Sequence, residues 1–342
     1  MSDTMLKESC ARLFADLATR DALEAAERAF PAAMWSAVEE AGLTRPHLAE
    51  AQGGAGGTWL DAGTILFEAG RAALPLPIAE TIAGASLLAA AGLKVPDGPL
   101  TVAQDASLAI AGGKLSGRAA SVPWGADAVH VVVVAGTRVA LLAKGAATAT
   151  REANLAGEPR DTLEWKGAAV LAEGALKGLD ARTLGAAGRA AQMAGAIERA
   201  LDISLKYVVE RKQFGRALAA NQAVQQALAV LAGHSAAATI AAEHAFRALA
   251  SSGDASVAGG DASFEIAAAK VRCGEAASMA TNLAHQAHGA IGFTREYVLQ
   301  HATRRLWSWR AEFGADAYWA EWLGRYVCER GPEAFWAELV AR

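Results

Sequence analysis

Arg211, Gln213 and Phe214 place a guanidinium, an amide and an aromatic ring within a few consecutive residues, and Gln222 adds a second amide shortly after them. A guanidinium offers paired donors that match phosphate or carboxylate, so the group suits an anionic, partly aromatic ligand. Basic residues near a helix end also complement the helix dipole, and the spacing alone is met by that simpler role. His285 and His288, three apart, raise the question of a metal. No carboxylate stands at Glu-x-x-His spacing beside them, so no metal site is expected.

These side chains need elements to present them. Leu201, Leu205, Val208 and Val209 recur at helical spacing and mark a buried stripe that leads to the polar cluster Glu210-Arg211-Lys212-Gln213. Gly215, free of a Cβ, permits a sharp exit, and Asn221 suits the N-cap of a second helix through Ala223, Leu228 and Leu231. The expected unit is a helix hairpin with the ligand-type residues at its tip.

The stretch ERKQFGRALAANQAVQQALA, from Glu210 to Ala229, resembles a signature of the acyl-CoA dehydrogenase family over its whole length. In that family the Arg, the Gln or Thr two positions later and the Phe contact the FAD of a neighbouring subunit. The resemblance implies those roles for Arg211, Gln213 and Phe214, with Gln222 as a further candidate. His285-Gln286-Ala287-His288-Gly289-Ala290-Ile291-Gly292-Phe293 is similar to the family's Gln-bearing, Gly-rich turn, which binds the adenosine diphosphate half of FAD across a subunit interface. Backbone amides at a tight turn suit a pyrophosphate. Gln286 and Gly289 match the pattern, while Ala290 stands where a second glycine is usual.

The family's reaction is α,β-dehydrogenation of an acyl-CoA thioester, in which a glutamate removes the α-proton and the β-hydrogen leaves as hydride to the flavin. An apolar site raises such a carboxylate's pKa toward working pH. Twenty residues beyond Phe293, where most members carry the glutamate, this chain has Phe313 followed by Gly314; the nearest acid is Glu312, one residue early. One residue on a helix rotates a side chain by about 100°, so Glu312 serves as base only if the local turn compensates. The family's second location for the base falls near Gly185, with no Glu between Leu179 and Ile197. The arginine that usually accompanies this region is absent from its position, although Arg182 and Arg189 lie nearby.

The whole chain sets bounds on the reading. Its 342 residues are enough for two or three domains, and 53% hydrophobic content implies a large core. Abundant alanine with 6% aromatics favours closely packed helices. A net charge of -4 with interspersed signs argues against nucleic acid or a polybasic membrane anchor. Cys10, Cys273 and Cys328 are far apart and odd in number, as free thiols of a cytoplasmic protein would be. No run approaches the roughly eighteen uncharged apolar residues of a membrane span.

Along the chain, three domains are expected: 1–95 helical, 96–179 a small β domain and 180–342 a helical bundle. Leu6, Leu13, Leu17 and Leu23 begin the helical pattern, and the Gly53-Gly54-Ala55-Gly56-Gly57 run reads as a turn rather than a phosphate-cradling loop, since no strand precedes it and no Gly-Lys-Ser/Thr follows. The middle segment alternates β-rich runs such as Leu100 to Val102, Leu108 to Ile110, Val129 to Val134 and Val139 to Leu142 with glycine turns. Family members open this domain with a Thr-Glu segment followed by Gly-Ser-Asp that serves flavin and acyl-CoA; here the chain reads Thr101-Val102-Ala103-Gln104-Asp105 with no such tripeptide nearby. Trp124 either borders a ring system or is a buried strand-end side chain. Four long segments follow, Thr183 to Glu210, Asn221 to Ser251, Asp261 to His288 and Thr294 to about Arg330, with a linker from Ser251 to Gly260. The fold class is α+β, mostly α, with a β-barrel between two helical parts, as the resemblance also implies.

Two functional readings differ in class. In one, the chain is a self-sufficient, homo-oligomeric acyl-CoA dehydrogenase with FAD, Glu312 as base and electron-transfer flavoprotein as acceptor. In the other, it is a non-catalytic subunit that lends Arg211, Gln213, Phe214, Gln286 and Gly289 to the FAD of a heterotetramer with another dehydrogenase chain. The second is favoured, because interface residues survive where proton-abstracting ones do not. Short members of this kind resemble the smaller subunits of α2β2 dehydrogenases acting on steroid or bile-acid side chains, which implies a bulky acyl-CoA. A flavin-free helical scaffold is the third reading.

Overall fold

Small side chains set how closely these helices pack. The computed structural model describes residues 3–27, 29–176, 178–252 and 261–341; the expected linker lies, from residue 253 to 260, outside the described residues. Five helices come first: α1 Asp3–Leu17, α2 Arg20–Ala26, α3 Ala32–Glu40, α4 Trp59–Arg71 and α5 Ile78–Ala90. Thr58 and Asp61 close a reciprocal capping box at the start of α4. The Gly53–Gly57 turn is closed on itself. Its amides bond to the carbonyls of Arg45, Pro46, Leu48, Ala49 and Glu50, so none is free to cradle a phosphate.

Eight strands follow: β1 Leu100–Gln104, β2 Ala109–Ala111, β3 Lys114–Pro123, β4 His130–Ala135, β5 Arg138–Ala143, β6 Thr148–Thr150, β7 Arg160–Ala169 and β8 Ala172–Ala175. The expected barrel takes the form of two four-stranded sheets, ordered β1-β4-β5-β8 and β2-β3-β7-β6, packed face to face. All neighbours are antiparallel except β1 and β4. Period-two alternation divides β4 between two cores: Val131 and Val133 meet the second sheet, while Val132 and Val134 face the helices. Trp124 is buried against Phe30 at the end of β3, with ring centroids 5.9 Å apart. The fully buried Thr101 donates its hydroxyl to the Pro123 carbonyl.

Asp180 then caps α6, Ala181–Glu210, accepting from the Thr183 amide at 2.9 Å. Every residue from Thr183 to Ile197 is buried. Gly70 and Gly195 permit this: a Cβ at either would overlap a backbone carbonyl of the facing helix, Gln192 or Phe67. A short hairpin, β9 Lys212–Gln213 and β10 Arg216–Ala217, joins α6 to α7 Gln222–Ser252, and α8 Asp261–His288 completes the long helices. The long fourth segment expected from Thr294 to Arg330 is not one helix. It divides into α9 Leu299–Ala311 and α10 Asp316–Arg330, followed by α11 Pro332–Ala341. Phe313 and Gly314 both take positive φ, 52° and 94°, which an α-helix does not continue through. The buried Lys270 ammonium holds the break, donating to the carbonyls of Arg310 at 2.7 Å and Gly314 at 2.8 Å. Among the described residues no helix is long and apolar enough to cross a membrane.

Candidate functional site

The hairpin tip forms because α6 runs out of partners before it runs out of residues. Its last intrahelical bond joins the Arg211 amide to the Tyr207 carbonyl at 2.8 Å. Gln213 then pairs with Arg216 across a two-residue turn in which Phe214 and Gly215 both have positive φ, 52° and 78°. That is the backbone of a tight hairpin turn, normal for glycine and unusual for phenylalanine. The Phe214 side chain is 102% exposed. Arg211, Gln213 and Gln222 are exposed as well. Asn221 accepts from the Ala223 amide at 3.0 Å, as an N-cap does.

The glutamine-bearing turn lies at the same end of the bundle. α8 stops at His288, and Gly289–Phe293 form a single 3-10 turn. Gly289 has φ 63° with open space where a Cβ would stand, whereas Ala290 keeps an ordinary negative φ, so no second glycine is needed there. Gln286, Gly289 and Phe293 border an open concavity of about 670 Å³ with Asn282, Arg304 and Trp307. Tyr207, one helical turn before Arg211, stacks on His288 with centroids 4.4 Å apart, which brings the hairpin tip and the Gln286 turn to one neighbourhood. His285 stacks on Phe293 and His288 bonds to the Ala284 carbonyl; among the described residues no metal-binding group of three His, Cys, Asp or Glu occurs.

Glu312 lies at the far end of α9, in a different environment. It is the C-cap of that helix, and its side chain is 15% exposed. Its Oε1 accepts from Arg160 Nε at 2.7 Å and Asn154 Nδ2 at 3.1 Å, and its Oε2 accepts from Arg189 Nε at 2.7 Å and a second Arg160 nitrogen at 3.0 Å. Burial alone would raise the carboxyl's pKa; the two guanidinium groups outweigh it and hold the group down to about 2. A general base for an α-proton needs the opposite displacement. The network continues inward. Arg189, fully buried, also reaches Gln192 and Glu80 of α5, and Arg160 reaches Glu158, which accepts from Arg305 at 3.0 Å and the Trp309 indole at 2.9 Å.

Phe313 and Gly185, the two places where the family puts its base, touch each other here. The Phe313 ring occupies the space that a Cβ at Gly185 would enter, and Arg189 lies over the same ring at 5.5 Å. Beside them a cavity of about 580 Å³ runs between the ends of β1 and β3 and α9, bordered by Ser121, Asn154, Arg182, Trp307 and Glu312. Arg182, at the start of α6, lies over the Tyr318 ring rather than on a carboxylate. Sequence reasoning missed Arg160 and Asn154, which reach Glu312, Glu80, which reaches Arg189, and Glu158, which accepts from Arg305 and Trp309, each across more than a hundred residues. No local pattern carries that pairing.

Models of the acyl-CoA dehydrogenase N-terminal and C-terminal domains match residues 2–94 and 179–327. Acryloyl-CoA reductase (NADH) of Anaerotignum propionicum is 36% identical over 130 residues, 38% of this chain and 30% of that protein. The 3-sulfinopropanoyl-CoA desulfinase of Paraburkholderia xenovorans LB400 is 35% identical over 117 residues, 34% of this chain and 28% of the relative. The chain thus aligns with less than a third of the length of these curated relatives. Among solved structures, the ChsE4-ChsE5 complex of Mycobacterium tuberculosis superposes with a TM-score of 0.86 at 22% identity, over 96% of this chain and 98% of that one. The Tcur3481-Tcur3483 steroid ACAD gives 0.85 at 24% identity, with the same coverage. At those identities the likeness is one of fold, and together with the two domain matches it leads to one conclusion: the chain belongs to the acyl-CoA dehydrogenase family.

Proposed function

We propose that this chain is a flavoprotein subunit that presents Arg211, Gln213, Phe214, Gln286 and Gly289 to an FAD shared with another acyl-CoA dehydrogenase chain, and that the partner supplies the base for α,β-dehydrogenation of an acyl-CoA thioester. The observation that carries this reading is the state of Glu312: both carboxylate oxygens are occupied by arginines and the pKa is about 2. An acid so held neither reaches a substrate carbon nor takes its proton readily.

The residues assigned to FAD fit the group in the opposite way. Among the described residues Arg211, Gln213 and Gln286 have no side-chain partner, and Phe214 is wholly exposed, so a guanidinium, two amides and a ring remain available to a diphosphate and its attached rings. When bound, FAD supplies the hydride acceptor. The chain's own part is to neutralise negative charge with Arg211, to offer amides from Gln213, Gln286 and the Gly289 turn, and to cover an apolar ring edge with Phe214. A heterotetramer, a bulky steroid or fatty acyl group, electron-transfer flavoprotein as acceptor and a cytoplasmic setting complete the proposal; the two-chain steroid enzyme and the ChsE4-ChsE5 complex among its structural neighbours support the first two.

The cavity of about 580 Å³ beside Glu312 favours a second reading, a self-sufficient dehydrogenase. One experiment separates the two. The chain is purified alone and with any dehydrogenase chain that copurifies in equal amount, then assayed for bound FAD and for acyl-CoA-dependent reduction of an artificial acceptor. Under the proposal, Arg211→Ala and Gln286→Ala lower bound FAD in the complex, and Glu312→Gln leaves turnover per folded complex unchanged. Turnover by the isolated chain that Glu312→Gln abolishes would overturn it.

A further inference from the structure

The two groups assigned to FAD belong to different helices, so their spacing has to be set by something between them. α6 and α8 pack along their shared length, and at the end nearest the two groups the contact between them is a small set of rings. Tyr207 of α6 stacks on His288 of α8 at 4.4 Å and 26°, and Tyr297 meets Tyr207 edge-on at 6.0 Å and His288 at 5.0 Å. The Tyr207 hydroxyl donates to the His288 carbonyl at 3.4 Å. His288 Nδ1 lies 2.8 Å from the Ala284 carbonyl, so that nitrogen carries a hydrogen and donates, while burial lowers the ring's pKa and favours its neutral form. Tyr297 backs onto a separate small cluster, Ala200, Ile203, Ala284 and Leu299, while Tyr207 packs against the edge of the main core. The lever arms are short: the Arg211 amide bonds directly back to Tyr207, and Gly289 follows His288.

We propose that Tyr207 and His288 are positioning residues that fix the distance between the Arg211–Phe214 tip and the Gln286–Phe293 turn, each holding the loop that the other helix carries. Neither ring needs to touch the cofactor. The inference rests on the proposed FAD role for its purpose, but the mechanical coupling stands on the ring geometry alone. A ligand spanning both groups binds well only if they are held at its own length, since ordering either loop on binding would subtract from affinity.

The test is hydrogen-deuterium exchange on the full chain, read at the amides of Arg216 and Leu218 on one side and of residues 289–294 on the other. His288→Ala should speed exchange in the hairpin, on the other helix, by about three- to tenfold, and Tyr207→Ala should do the same in the turn, because an aromatic stack contributes that much to local opening. Tyr207→Phe, which keeps the ring, should leave both sites protected. If Tyr207→Ala fails to unfold cooperatively, Tyr207→Leu, which fills the space without a π-face, takes its place. In the flavin-bearing complex, Tyr207→Ala or Tyr207→Leu should lower FAD retention and Tyr207→Phe should restore it. Exchange changes confined to the substituted helix would overturn the proposal even if Arg211→Ala releases FAD. Coupled exchange together with full FAD retention in Arg211→Ala would remove the cofactor reading and leave the ring coupling in place.

Discussion

The two ends of α9 treat their polar groups in opposite ways. At its C-terminal end, Glu312, Arg160, Arg189, Glu80, Glu158 and Arg305 bond to one another in the interior, and Glu312 has no oxygen left for a substrate. Beyond its N-terminal end, at the Gln286 turn and the nearby hairpin, Arg211, Gln213, Gln286 and Phe214 face outward with nothing to bond to among the described residues. Buried charges are tolerated only in pairs, so the first arrangement has one stable state. Exposed donors cost little and wait for a ligand. The contrast teaches that the chain's stability and its binding capacity are lodged in different places, and each can be altered without the other.

The largest effect is expected at the centre of the buried network. Arg189→Met leaves Glu80 and Glu312 short of a counter-charge in the interior, which should cost about 3–5 kcal/mol in urea unfolding. A loss under about 1 kcal/mol would mean that water enters the network, and the contrast between the two ends would fail.

Acid should act on the same end with a comparable magnitude. Glu312 titrates near 2 in the folded chain against a usual 4.5, so its folded state binds fewer protons than its unfolded state between those values. The stabilisation it gives is therefore complete above 4.5 and is lost as pH falls through about 2, to the extent of roughly 3 kcal/mol. Glu158 is shifted the same way by Arg305 and Arg160 and adds to the slope. Unfolding measured at a series of acid pH values should show this limb, and Glu312→Gln should flatten it.

Gly185→Ala is the next in size. The added Cβ would overlap the Phe313 ring, and overpacking of that kind costs about 1–3 kcal/mol. Pairing it with Phe313→Leu should return part of the loss, a non-additivity that shows the two positions share one space.

What the sequence made legible follows from how local each signal is. The hairpin tip, the Asn221 cap and the Gln286 turn are written within short stretches, and the structure brings them to one end of the bundle through Tyr207 and His288. Strands β3 and β7 were not anticipated, because Gly117 and the irregular pairing of Leu115/Ser116 and Ala119/Val122 break the alternation that marks a strand. The break after α9 was missed because Phe313, rather than a glycine alone, adopts positive φ. The partners of Glu312 were invisible for a plainer reason. Arg160 and Arg189 are separated from it by 152 and 123 residues, and only the folded chain brings them together.

The smallest effect on stability, and the sharpest probe of the open end, is expected from Phe214→Ser. The ring is fully exposed and has left the protein surface, so unfolding should change by no more than about 0.5 kcal/mol. In the flavin-bearing complex the same change should speed FAD release by about three- to tenfold, the worth of one aromatic contact, as followed by the recovery of flavin fluorescence on dilution. Arg189→Met should show the reverse, a large loss of stability with the release rate of the surviving complex unchanged. If Phe214→Ser instead lowered stability and left FAD release alone, the exposed ring would be serving the fold, and the separation of stability from binding along α9 would not hold.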